Sequence, residues 1–327
     1  MTHAPVLLRE VIATLAPRDG ETHVDGTFGA GGYSRAILES AQCRVIGIDR
    51  DPDALTRAQA LSTHFGARFE MRPGVFGAIE TLVPERVDGA VLDIGVSSFQ
   101  LDEATRGFSL LRDGPLDMRM GADGPSAACA VAHLSEAALA DIIFHYGEEP
   151  QSRRIARAII EARKAAPIES TAMLAAIVEK AVGGRKGARI HPATQTFQAL
   201  RILVNDELGE LARALLGAEQ RLKPGGRLIV VTFHSLEDRL VKQFFAARAR
   251  EGEAGSRYRP AGPAGPAPSF ALSFRKPLAP SEEEMRANPR ARSAKLRAGV
   301  RTSASAHPAL TEYAHPARAL AEWEKLT

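Results

Sequence analysis

The stretch Val24-Asp25-Gly26-Thr27-Phe28-Gly29-Ala30-Gly31-Gly32-Tyr33-Ser34 constrains this chain most. Its order predicts a short strand, a glycine turn and a helix that starts at Ser34 and runs to Glu39. An apolar segment from Arg44 to Ile48 follows as a second strand and ends on Asp49. Glycine lets the backbone come close to a ligand, and a helix start leaves N–H groups unpaired. An acid about 20 residues beyond such a turn, at the tip of the next strand, is placed to grip ribose hydroxyls. Gly29, Gly31 and Asp49 therefore outline an adenosine-binding half-site. A plain tight turn would use the same glycines; the distance to Asp49 favours the nucleoside.

The turn is not the dinucleotide fingerprint. The third glycine of G-x-G-x-x-G would fall at position 34, which is Ser34. Asp25 at the strand end would repel a pyrophosphate and attract a sulfonium cation. S-adenosylmethionine carries adenosine and a positive sulfur but no phosphate, so it suits this acid-rimmed turn better than NAD. The alternative for Asp25 is a turn former bonded to its own backbone.

Composition narrows the class. At 327 residues, 45% hydrophobic and 25% charged, the chain is long enough for one large globular domain or two smaller ones. It has no apolar run of about 18 residues and no basic-then-apolar leader, which points to a cytoplasmic protein without a membrane span. Cys43 and Cys129 are the only cysteines, with no C-x-x-C, so neither a disulfide framework nor a metal site is expected. A net charge of +3 is mild. Any nucleic-acid contact must come from a local patch.

Strand–helix alternation continues: a helix over Pro52 to Phe65, a strand over Arg68 to Met71, and another over Val87 to Leu92 that ends at Asp93. A late strand, Arg227 to Thr232, follows Leu222-Lys223-Pro224-Gly225-Gly226, which reads as a helix stop. This alternation predicts a mostly parallel sheet with helices on both faces. The gap from Asp93 to Leu228 far exceeds a βαβ unit of about 30 residues. One returning helix through Phe197, Leu200, Val204, Leu208, Leu211 and Leu215 fills part of it. The rest is an inserted helical subdomain, with segments at Glu136 to Tyr146, Arg153 to Ala165 and Thr171 to Val182. The expected organisation is a core over 1–100, an insertion over 101–190, and the rest of the core over 191–327.

After a helix over Leu236 to Arg250, the Pro- and Gly-rich run from Tyr258 to Ser269 reads as an irregular loop. Phe270 to Phe274 and Ala294 to Val300 are expected to pair as a closing antiparallel hairpin. From Met285 to Arg301 there are six basic residues and no acid. This strip is either a phosphate-facing surface or a merely soluble edge.

Nine motifs occur in order: His3-Ala4-Pro5-Val6-Leu7-Leu8, Asp25 to Gly32, Asp49-Arg50-Asp51, Asp93-Ile94-Gly95-Val96-Ser97-Ser98, Gly107-Phe108-Ser109, Gly114 to Met120, His191-Pro192-Ala193-Thr194, Phe233 to Arg239, and Asn288 to Ser293. The set closely resembles the bacterial small-subunit ribosomal RNA cytosine-N4 methyltransferase family over nearly the whole chain. The resemblance implies a class I methyltransferase, Rossmann-like sheet interrupted by a helical insertion. It implies methyl-donor contacts at Gly31, Gly32, Tyr33, Asp49, Phe76, Asp93 and Gln100. Phe76, as a face for adenine, and Gln100, as a partner for the donor's polar tail, rest on the resemblance alone.

The implied reaction is methylation of a cytidine N4 in 16S ribosomal RNA. The amine's lone pair is delocalised into the ring, so an acceptor for its N–H would help to localise it. Asp93, with Ser97 or Ser98 nearby, is the candidate acceptor, and His234 with Ser235 is the candidate holder of the base. The base must be unpaired or flipped. Phosphate contacts are expected from Arg290, Arg292, Lys295 and Arg297, joined by Arg119 and His191. Two other readings stay open: a DNA amino-methyltransferase, against which the missing Asp/Asn-Pro-Pro-Tyr clamp speaks, and a non-catalytic RNA-binding assembly factor. The substrate partner is ribosomal RNA or the small subunit, and a homodimer is compatible with the sequence.

Overall fold

The computed structural model describes residues 5–96, 101–121, 123–185, 190–249, 266–309, 311–313 and 315–327. The chain divides into two compact units, residues 1–95 with 208–312 and residues 96–207 with 313–327.

The first unit holds a seven-stranded sheet. In chain order its elements are α1 (Leu8–Leu15), β1 (Thr22–Asp25), α2 (Gly32–Ser40), β2 (Arg44–Asp49), α3 (Pro52–Phe65), β3 (Phe69–Pro73), α4 (Ile79–Leu82) and β4 (Val87–Asp93). The strand order is β3-β2-β1-β4, continuing through β5 (Leu222–Thr232), β7 (Lys295–Arg301) and β6 (Phe270–Leu272). β1 to β5 are parallel neighbours, whereas β7 runs antiparallel to both β5 and β6. The expected closing hairpin is thus present, with β7 inserted between β5 and β6.

Residues 45–48 of β2 and 89–92 of β4 are consecutively buried, which requires cover on both faces of the sheet. On one face, Leu15, Ile37, Leu38 and Leu61 from α1 to α3 pack with Val45, Val91, Ile229 and Leu296. α3 starts where its sequence directs: Asp51 caps the Asp53 N–H and Pro52 occupies the first turn.

The second unit is helical: α5 (Ala127–His133), α6 (Glu136–His145), α7 (Ser152–Ala165), α8 (Thr171–Val182) and α9 (Thr194–Asn205). Ser126, Ser135 and Ser170 cap α5, α6 and α8 through their hydroxyls. The C-terminal helix α13 (Ala317–Trp323) joins this unit, where Glu322 accepts hydrogen bonds from the Ser135 N–H and hydroxyl.

Two expectations are corrected. The returning helix is two helices, α9 and α10 (Glu207–Arg221), because Asp206 between them adopts a left-handed backbone at φ 47°. Apolar spacing runs through that break and hides it. Residues 222–226, read as a helix stop, already belong to β5, with Leu222 paired to Val87 across a register shift. Helices α11 (Ser235–Ala249) and α12 (Glu282–Ala287) complete the fold.

Candidate active site

The site is built where β1, β2, β4 and β5 end. Asp25, at the tip of β1, is fully buried. Its Oδ2 accepts hydrogen bonds from the Ser34 N–H at 3.1 Å and the Ser34 hydroxyl at 2.7 Å, and Oδ1 faces the Thr27 N–H at 3.4 Å. The carboxylate therefore ties the strand end to the first turn of α2. Between them the chain turns at Gly29 (φ 54°) and Gly31 (φ 76°), conformations that favour glycine. A side chain at Gly31 would also strike the Phe28 ring, and one at Gly32 would strike Pro5.

Asp49 closes the turn from the β2 side. Its Oδ2 accepts the Gly29 N–H at 2.8 Å and its Oδ1 the Asp51 N–H at 2.9 Å. The carbonyl of Asp49 accepts the Gly74 N–H, which brings the end of β3 alongside. Phe76 follows, with its Cβ against the position that a side chain on Gly26 would take.

Asp93 ends β4. Its backbone N–H donates to Thr27 Oγ1 at 2.7 Å, while its Oδ1 is buried with no hydrogen-bond partner. Tyr33 is buried, and its hydroxyl donates to the Val6 carbonyl.

These carboxyls shift together. Burial pushes Asp25 up to about 6, helped by the charge of Asp49 and opposed by the Ser34 and Thr27 hydrogen bonds. Burial also raises Asp49. Asp93 lies well above the usual carboxylate range, first through burial and then through repulsion by Asp25 and Glu237, with the Tyr33 hydroxyl opposing. Such a cluster gains from a cation and loses from an anion.

At the end of β5, His234 caps α11. The Glu237 N–H points at His234 Nδ1 at 3.4 Å, while Glu237 Oε2 accepts the Phe233 N–H at 2.7 Å and the His234 N–H at 3.2 Å. This is a capping box with imidazole nitrogen in place of a hydroxyl. His234 Nε2 lies 2.9 Å from Glu237 Oε1.

The MraW methylase family model matches residues 1–302. The chain belongs to the MraW methylase family. A ribosomal RNA small subunit methyltransferase H of Hyphomonas neptunium (strain ATCC 15444) is 60% identical over 308 residues, covering 93% of this chain and 90% of the relative. Its counterpart in Maricaulis maris (strain MCS10) is 58% identical over 309 residues, with 93% and 92% covered. That of Paramagnetospirillum magneticum (strain ATCC 700264 / AMB-1) is 58% identical over 309 residues, with 93% and 97% covered. The sheet of this methylase is seven-stranded and mostly parallel, as the strand–helix alternation predicts.

In this MraW methylase the structure brings Asp25, Gly29, Gly31, Gly32, Tyr33, Asp49, Phe76 and Asp93 to one end of the sheet. Ser97, Ser98 and Gln100 lie outside the described residues. Of the basic strip, Arg290 and Arg292 are exposed on a short 3-10 turn, whereas Lys295 and Arg297 both pair with Asp238, at 3.0 and 2.7 Å. In the second unit Arg119 forms a two-pronged pair with Asp117, and His191 lies 3.5 Å from Glu179. Sequence reasoning overlooked Thr27 and Glu237. The spacing His234-x-x-Glu237 ahead of a helix was the available signal for the second.

Proposed function

We propose that this chain transfers a methyl group from S-adenosylmethionine to the exocyclic N4 amine of a cytidine in small-subunit ribosomal RNA, in the cytoplasm. Membership of a methylase family over residues 1–302, and relatives named for small-subunit ribosomal RNA, support the reaction class and the substrate. The observation that carries the site assignment is the buried, unpartnered Oδ1 of Asp93 beside two other carboxyls with raised pKa.

The residues present fit the donor. It supplies an electrophilic methyl on a cationic sulfur, and the acid cluster favours such a cation where it would reject a pyrophosphate. Asp49 keeps lone pairs for ribose hydroxyls after accepting two backbone N–H groups. Phe76 offers its ring to the adenine. Gly29, Gly31 and Gly32 admit the ligand close to the backbone, and Tyr33 contributes its main chain because its hydroxyl is engaged. Gln100 is assigned to the donor's polar tail.

Asp93 has the acceptor role toward the cytosine amine. A cation nearby lowers its pKa, and the carboxylate then accepts an N–H of the amine and localises the nitrogen lone pair. Ser97, four residues after Asp93 in sequence, assists, and His234 and Ser235 hold the base. The rest of catalysis is alignment of amine and methyl and exclusion of water. Arg290, Arg292, Arg119 and His191 take phosphates, while Lys295 and Arg297 act with half of their charge already matched by Asp238.

The test is transfer of tritium from methyl-labelled donor to small ribosomal subunits, with duplex DNA as the control, followed by mass mapping of the methylated nucleoside. N4-methylated cytidine in the ribosomal RNA supports the reading. Label in DNA alone, or on a ring carbon, overturns it.

A further inference from the structure

The opposite end of the sheet carries a cavity of about 560 Å³ that the donor site does not use. Its walls include Arg86, which precedes β4, Arg221 at the end of α10, Lys223 near the start of β5, and Arg301 at the end of β7. The length of β4, Val87–Asp93, sets this end about 20 Å from the carboxyls by the rise of a strand. The loop after β7 adds Ser303 and Ser305, which are exposed.

Among the described residues, the cations of this cavity differ in whether a carboxylate pairs with them. Lys223 is satisfied by both oxygens of Asp88. Glu80, the acid in the lining, is hydrogen-bonded by the Gln220 amide once that amide is turned to donate. The three guanidiniums, by contrast, form no salt bridge among the described residues. Arg86 Nη1 donates to the Leu222 carbonyl and Arg221 Nη1 to the Pro84 carbonyl, and Arg221 Nε is buried without a partner. Arg301 is only 6% exposed, and its Nε and Nη1 donate to the Glu219, Ser269 and Thr302 carbonyls. The Glu219 carboxylate is occupied by Arg248 and Ser269. Burial lowers the Arg301 pKa, Glu219 partly offsets this, and nearby Arg86 lowers it further. Clustering like charges in a concave site is unfavourable unless an anion joins them.

We propose that this cavity is a second ligand site that binds a pyrophosphate group, free or as part of a nucleoside diphosphate. Guanidinium forks match phosphate oxygens in two-pronged pairs, and three of them call for more charge than a single phosphodiester carries. A concave site of this volume suits a small ligand, whereas an RNA backbone would need a long continuous track. The chemistry is opposite in sign to that of the donor site, so one ligand cannot serve both.

Calorimetry on the full chain, in low-salt buffer free of phosphate, tests the site with pyrophosphate and ADP as probes. Saturating S-adenosylhomocysteine keeps ADP from the donor site. The expected result is one binding event per chain, weakened about tenfold in Arg86→Gln and again in Arg221→Gln. Affinity for S-adenosylhomocysteine should be unchanged in both variants, which reports an intact sheet. Tighter binding of ADP than of pyrophosphate identifies a nucleotide as the source, and equal binding identifies pyrophosphate itself. The proposal is overturned if neither probe binds, or if both variants bind like the parent. It is also overturned if the variants lose ribosomal RNA affinity while pyrophosphate does not bind, which would make the cavity part of the RNA surface.

Discussion

Thr27 Oγ1 accepts the backbone N–H of Asp93 at 2.7 Å, so the glycine turn after β1 and the tip of β4 are held to each other by one side chain. The turn bears the backbone proposed to face the donor, and Asp93 bears the carboxyl proposed to accept from the amine. Their separation therefore depends on this bond as well as on strand pairing. Replacing Thr27 by Val keeps the shape and removes the acceptor, which leaves the Asp93 N–H without a partner. We expect a loss of about 1–3 kcal/mol in urea unfolding and a clear fall in donor affinity. Thr27→Ser should restore both. Equal behaviour of the Val and Ser variants would show that the bond does not position the site.

Asp25 makes stability depend on pH. Its carboxyl stands at about 6 in the fold, against an ordinary value of 3.8, so the folded state holds the proton more tightly than the unfolded chain. Stability from this group is complete below the ordinary value and is lost as pH rises through about 6. The loss amounts to about 3 kcal/mol at alkaline pH. Asp25→Asn should flatten that window and be more stable than the parent at pH well above the shifted value. It should also bind the donor at least about tenfold more weakly, because a charge facing the sulfonium is gone. Unfolding curves across the window, paired with calorimetry, separate the two effects. A parent protein whose stability does not change over this range contradicts the assignment.

Much of this arrangement is legible from the sequence where the signal is local. The glycine turn, Asp49 beyond it and the Asp51-Pro52 start of α3 each depend on neighbours within a few residues. The misread elements depend on distant partners or on one backbone angle. The break at Asp206 is a single left-handed residue, tolerated because a short polar side chain can adopt that conformation. The extension of β5 to Leu222 needs Val87 as its partner. Lys295 and Arg297 look like free charges until Asp238, nearly sixty residues earlier, is folded against them. Glu237 reads as an ordinary helical acid, and only its reach back to the Phe233 and His234 N–H groups shows what it holds.

Donor binding should release protons. Asp93 sits well above the usual carboxylate range because of burial and neighbouring acids, which favours its protonated form before a ligand arrives. A cation placed beside it favours the charged form and expels that proton. Calorimetry of S-adenosylmethionine binding at near-neutral pH, repeated in buffers of different ionisation enthalpy, measures the release directly. S-adenosylhomocysteine, whose sulfur is neutral, should release fewer protons. Asp93→Asn should lower the proton count and the methyl-transfer rate together. Proton release that is identical for both ligands and unchanged in the variant would remove Asp93 from the donor's surroundings.

The basic strip divides into two pairs with different expected behaviour. Arg290 and Arg292 are exposed on the 3-10 turn, whereas Arg297 is largely covered and shares Asp238 with Lys295. If the exposed pair meets phosphates, Arg290→Ala with Arg292→Ala should weaken RNA binding at low salt. The slope of log affinity against log salt should shrink by about one for each contact removed. Lys295→Ala with Arg297→Ala removes two partners of a partly buried carboxylate. That change should lower the unfolding temperature while altering the salt slope by less, because much of the positive charge is already matched by Asp238. Filter binding over a salt series, run beside thermal unfolding for both double variants, resolves the comparison. A larger slope change from the Lys295 and Arg297 pair than from the Arg290 and Arg292 pair would mean that RNA displaces Asp238 from its partners.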